Sequence, residues 1–119
     1  MSLHPIALAL TVSRRAEVRA RPQYQSGVQV VEYVLQVWAE RSGTDYRAEK
    51  SMGFGLSAAV AATHKAGLLK PGTVITVHAE RERIVTGKAT RIELMGVTQL
   101  EPMHLRMRSY YEPAEKEAA

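Results

Sequence analysis

The chemistry on offer in this sequence is carried by arginines, lysines and a few aromatic rings. Eleven cations fall into three clusters: Arg14, Arg15, Arg19 and Arg21; Arg41, Arg47 and Lys50; and Arg81, Arg83, Lys88 and Arg91. The rings are Trp38, Phe54 and five tyrosines. Cations along a groove bind phosphates, and flat side chains accept unstacked bases. The whole chain carries a formal +4; its last eleven residues, "SYYEPAEKEAA", hold three acids and one base, so residues 1–108 carry +6. Such a basic body points to a polyanionic partner, nucleic acid before membrane. The plainer reading is a solvated surface, and "ERER" (80–83) favours it locally, because Glu80 and Glu82 offset their neighbours.

Reaction chemistry finds little support. Gly53-Phe54-Gly55-Leu56-Ser57-Ala58 has the G-x-G-x-x-G/A spelling of a dinucleotide turn. The stretch before it is polar, the chain has no room for successive βαβ units, and the nearest clear acid beyond is Glu80, too far on. "TGKAT" (86–90) lacks the glycine and the hydroxyl of a P-loop, which would fall at Glu82 and Ala89. The four histidines, at 4, 64, 78 and 104, have no metal-ligand spacing, and His64 reads as structural or solvated. No G-x-S-x-G occurs. The absence of cysteine removes disulfides, thiolate sites and a cysteine nucleophile, and it fits a reducing cytoplasm. The expectation is a binding protein without cofactor or metal, not an enzyme.

The elements that must position these residues are mostly strands. "IALALTV" (6–12) alternates, with Ile6, Leu8, Leu10 and Val12 on one face, and reads as a strand rather than a signal peptide. Residues 13–27 extend it and then turn flexibly around Pro22 and Ser26-Gly27. Residues 28–40 form the strongest strand. Val31, Tyr33, Leu35, Val37 and Ala39 share its core face; Glu32, Val34, Gln36, Trp38 and Glu40 share the other. Residues 41–45 turn, and 46–52 make a third strand. From Leu56 the spacing becomes helical, through Ala59, Val60 and Thr63, with Ser57 as a candidate N-cap, Gly67 as the C′ residue and Pro71-Gly72 as a stop. Gly53 and Gly55 supply the sharp bend into the helix. Two more strands, 73–85 and 88–100, flank Thr86-Gly87. No run approaches the roughly 20 apolar residues of a membrane span. The fold class is all-β with one helix, a five-stranded Greek-key β-barrel in β-β-β-α-β-β order, which is the layout of an OB-fold. It occupies residues 1–108, and 109–119 form a flexible acidic tail.

Local sequences add a resemblance. Glu17-Val18-Arg19, Arg21-Pro22, Ser26-Gly27 and Tyr33-Val34-Leu35-Gln36-Val37 come in the order of similar segments in the bacterial single-stranded DNA-binding protein family. Leu69-Lys70-Pro71-Gly72-Thr73-Val74-Ile75-Thr76-Val77 is similar to a segment after that family's helix. The likeness runs from about Ile6 to Glu101. Departures fall at Leu10, Arg15-Ala16 and Ala79, and the long Gly-rich tail that recruits partners is missing. The tailless primosomal replication protein N, and phage or mobile-element versions, are similar in the same way.

The resemblance implies an OB-fold that binds single-stranded DNA, with single-stranded RNA possible, in replication, recombination or repair. It also implies a homodimer or homotetramer, cytoplasmic and nucleoid-associated, that works beside replication or recombination proteins. An OB-like protein-interaction subunit is the alternative. Trp38 is the leading base platform, because its strand turns it away from the core; packing on the helix or on a partner subunit is the competing reading. Tyr46 stands where the resembling family carries a stacking tryptophan. Phe54 is either a corner plug or a platform. Tyr24 sits in a turn where it can stack, and Tyr33 belongs to the core. Val34, apolar on the polar face, hints at a pairing surface. Tyr110 and Tyr111 lie in the tail with no role assigned.

Overall fold

The structure, a computed structural model, describes residues 6–103. The 109–119 tail expected above, with Tyr110 and Tyr111, lies outside the described residues. The elements are β1 (Ile6–Gln25), β2 (Val28–Arg41), β3 (Thr44–Phe54), α1 (Gly55–Leu68), β4 (Val74–Val85) and β5 (Arg91–Pro102). The β-β-β-α-β-β order is the expected one. All five strands belong to one sheet that closes on itself in the order β1-β2-β3-β5-β4. Every pairing is antiparallel except β3 with β5, which runs parallel over Asp45–Ala48 and Arg91–Leu94. Among the described residues, no helix is long and apolar enough to cross a membrane.

Period-two alternation fills the interior. Leu10 and Val12 of β1, Leu35 and Val37 of β2, Ile75 and Val77 of β4, and Leu94 and Leu100 of β5 form one buried cluster. Leu69, just after α1, enters the same cluster and is fully buried. Burying each such side chain stabilises the fold by about 1.5–3 kcal/mol. Tyr33 and Val31, expected in this core, are only half-buried. The reason is position: their partners on β1 are Ala20 and Pro22, beyond the point where β1 leaves β4.

That departure comes from β1 itself. It pairs with β4 over Ile6–Thr11, then with β2 up to Gln25, with two irregularities between Val12 and Glu17. Bulges of this kind bend a strand and increase its twist. The second half of β1 and the first half of β2 therefore form a two-stranded arm. The expected extension of β1 is present and continues through Pro22, so the turn expected around Pro22 and Ser26-Gly27 shrinks to Ser26 and Gly27. Proline is tolerated there because that stretch of β1 has no strand on its other side. Ser26 (φ 53°) and Gly27 (φ 78°) make a two-residue turn of the type that matches hairpin twist, and Ser42 (φ 51°) and Gly43 (φ 81°) repeat it between β2 and β3.

β3 passes into α1 without a linker. Gly53 and Gly55 both hold positive φ, 105° and 86°, with Phe54 extended between them as the residue preceding the helix. Ser57 is therefore inside the first turn and caps nothing; no side chain caps this end. Gly67 is likewise helical, and the chain leaves at Leu69, whose N–H donates to the Ala66 carbonyl at 3.1 Å. The buried face is also not the stripe that spacing suggests. Ala58 and Ala62 are buried, whereas Leu56 is 80% and Val60 62% exposed. The glycine corner sets the helix's rotation, and small alanines let it lie close on β2, β3 and β1. Val34 is 2% exposed within the single chain, so the residue expected to mark a pairing surface is already covered.

Two stability predictions follow from this packing. Gly96, in β5, holds φ 66°, and a Cβ there would stand 2.5 Å from Oε1 and 2.9 Å from Cβ of Glu80. Gly96→Ala should lower stability by about 1–3 kcal/mol, read as a urea midpoint shift. On the helix, Leu56→Ser and Val60→Thr should each change stability by no more than about 0.5 kcal/mol. Ala62→Leu should cost about 1–3 kcal/mol by overpacking. The reverse ranking in thermal melts would show that the helix buries its large residues.

Candidate functional site

The bulged segment of β1 places Arg14 opposite Trp38 of β2, although Val12 already pairs with Ala39. Trp38 lies outside the core cluster and is half-buried. Its ring is covered on one face by the Arg14 guanidinium, whose carbon stands 4.0 Å from the ring centroid. A stack of this kind is worth roughly 0.5–1 kcal/mol where water reaches it. Beside it opens a cleft of about 300 Å³, walled by Arg14, Trp38, Asp45, Tyr46, Thr90 and Arg91. Tyr46 does two things here: it packs on the core and lines the cleft. Four of the residues singled out from sequence, Arg14, Trp38, Tyr46 and Arg91, thus meet in one place.

On the same outer face runs a ladder of charges that the sequence reading missed. Arg21 donates from Nη2 to both oxygens of Glu49, at 3.0 Å each, and Gln36 Nε2 donates to Glu49 Oε2 at 2.5 Å. Arg47 bridges onward, bonding Glu49 and reaching Glu93 Oε2 from Nη1 at 3.5 Å. Glu93 is also held by Arg83 Nη2 at 2.6 Å and by Arg91 Nη2 at 3.0 Å. Glu93 is only 8% exposed, a depth at which a lone carboxylate would be costly. Both acids sit below the ordinary value of 4.5. For Glu93 the hydrogen bonds from Arg83 and Arg91 dominate. For Glu49 burial pushes upward, and the bonds from Arg21 and Gln36 with the charges of Arg47 and Arg21 outweigh it. A second hollow of about 230 Å³ borders this ladder at Arg47, Arg83 and Glu93.

The remaining candidates are spread out. Arg14, Arg15, Arg41, Lys50, Arg81 and Lys88 make no ion pair among the described residues. Arg19 makes a loose 3.5 Å pair with Glu17, both exposed, which contributes little. Arg41 closes β2 and Lys88 lies in the β4–β5 connection, near the residues that wall the cleft. Phe54 is 44% exposed and outside the core cluster, so it is not a plug. It pairs with Glu32, six residues along β2 from Trp38 and about 20 Å away at ~3.3 Å per residue. Tyr24, 74% exposed at the arm's end, pairs with Gln29, about 30 Å from Trp38 on the same count. Among the described residues, no three His, Asp or Glu side chains are grouped so as to hold a metal ion.

The ladder makes acid sensitivity testable. Because the folded carboxyl groups of Glu49 and Glu93 lie below 4.5, their contribution is complete above that pH and is lost as pH falls through the depressed folded values. A Glu49→Gln/Glu93→Gln variant should be less stable than wild type at pH 7. The gap should close progressively below about pH 4.5, followed by thermal melts at stepped pH. A gap that is constant with pH would show that the two carboxylates do not stabilise the fold through their charge.

No protein-family model, curated protein or solved structure matches this chain.

Proposed function

We propose that the chain is an OB-fold module that binds single-stranded DNA without sequence preference. One observation carries the reading: a tryptophan held on the outer face under an arginine, beside a cleft it shares with Tyr46 and Arg91. A base stacking on the Trp38 ring gains roughly 1–3 kcal/mol whatever its identity, because every base has a π-face. Phosphates on either side meet the unpaired Arg14, Arg15, Arg41 and Lys88. The closed order β1-β2-β3-β5-β4, with the helix between β3 and β4, supports the OB assignment. So does a cleft bordered by strands β2 and β3 and by the β4–β5 connection. The same reading includes single-stranded RNA as a competing ligand, a homodimeric or homotetrameric assembly, and work beside replication or recombination proteins at the nucleoid. The exposed Leu56 and Val60 on α1 favour the second reading, a protein-interaction subunit of such an assembly.

Titration with a dT oligomer separates the two. Trp38 is the sole tryptophan, so its fluorescence reports stacking directly. Quenching is expected at low salt. The four unpaired cations named above, at about 0.7 each, give an expected slope of log affinity against log salt of roughly −3. Trp38→Ala, followed by the anisotropy of labelled dT, should weaken binding about 5- to 150-fold for a loss of ~1–3 kcal/mol, with the unfolding midpoint little changed. A folded protein that shows no quenching at low salt rules out the DNA reading and leaves the interaction module.

A further inference from the structure

We infer that Glu49 and Glu93 are resident counter-ions that withhold four arginines from polyanion binding, which confines strong phosphate contact to the Trp38 end of the sheet. The inference takes its ligand class from the single-strand reading above, but its electrostatics apply to any polyanion. Four guanidiniums, Arg21, Arg47, Arg83 and Arg91, share these two carboxylates along a line that crosses the outer face. The line thus carries an excess of two positive charges where an unpaired row would present four. Glu93 is nearly buried, so its carboxylate cannot swing away to solvent and must be displaced in place by any phosphate that competes for Arg47, Arg83 or Arg91. Arg47 is itself largely covered, its side chain 23% exposed, and both of its carboxylate partners lie on the same face. Binding of a nucleic-acid backbone is driven by release of the salt cations condensed on it, about one for each phosphate that a protein cation neutralises. With two carboxylates fixed among four arginines, the ladder has at most two charges left to neutralise phosphates.

The free cations behave otherwise. Arg14, Arg41 and Lys88 belong to the segments around the cleft, and none has a carboxylate partner among the described residues. A strand is therefore held at Trp38 and only loosely along the ladder. Glu49 and Glu93 set how far the contact extends across the sheet.

The test compares variants of equal charge on a heparin column and in dT titrations. Glu93→Gln and Glu82→Gln each remove one negative charge; Glu82 is exposed on β4 beside Arg83 but outside the ladder. Glu93→Gln should elute from heparin at higher salt than Glu82→Gln, and its dT salt slope should steepen by about 0.7 or more. Equal elution of the two variants overturns the inference. If Glu93→Gln does not fold, the comparison passes to Arg83→Gln against Arg41→Gln, a held and a free arginine, both exposed. Arg41→Gln should give the larger drop in elution salt; equal drops, or a larger one for Arg83→Gln, overturn the inference. Heparin retention does not depend on stacking at Trp38. A heparin difference without dT quenching therefore sustains the counter-ions and removes the single-strand reading alone.

Discussion

The short parallel pairing of Asp45–Ala48 with Arg91–Leu94 is the constraint on which the rest of the molecule depends. Without it β1, β2 and β3 would be an open meander, and β4 and β5 a hairpin attached at one edge. Parallel neighbours cannot be joined by a tight turn, so the chain needs a crossover, and α1 with β4 provides it. Closing the ring there does three things at once. It shuts the interior around Leu35, Val77, Leu94 and Leu100, and it sets Glu93 beside Arg47 on the outer face. It also carries Thr90 and Arg91 to the cleft that Trp38 borders.

The outer face consequently has two electrostatic regimes. Along the ladder, buried or half-buried carboxylates are acceptable only because guanidiniums surround them, and the guanidiniums are ordered by the same bonds. Planar, multiply donating arginine suits this better than lysine, since one side chain can satisfy two carboxylates, as Arg47 does. At the cleft Arg91 is still held by Glu93, but Arg14 has no such compensation. Arg14 lies on an aromatic ring rather than on an acid, and a ring satisfies a cation less completely than a carboxylate does. On the proposed reading, a polyanion would meet the least prepaired charge where it also meets the flat surface. That coincidence is the physical basis of the binding reading.

The helix shows the same priority of backbone over side-chain size. A stripe through Leu56 and Val60 would normally face a core, yet the two positive-φ glycines turn the chain so that alanines meet the sheet. The cost is apolar surface left in water at Leu56 and Val60. Their exposure follows from the corner, not from a weak preference of the residues themselves.

Much was legible in the sequence. Alternation in residues 6–12 and 28–40 required strands, and it turned Trp38 away from Leu35 and Val37. The helix between the third and fourth strands was readable from spacing, and the two Ser-Gly turns from composition. Even the ladder left a local trace: Arg47-x-Glu49 and Arg91-x-Glu93 each place opposite charges on one face of a strand. What the chain alone did not reveal was which strands would stand side by side, and with what offset. Bulges between Val12 and Glu17 decided that Arg14 covers Trp38, and ring closure decided that Arg47 meets Glu93. Periodicity is a property of one strand and survives without neighbours. Register and rotation about an axis are set by pairing and packing with distant residues, so only the tertiary structure could decide them.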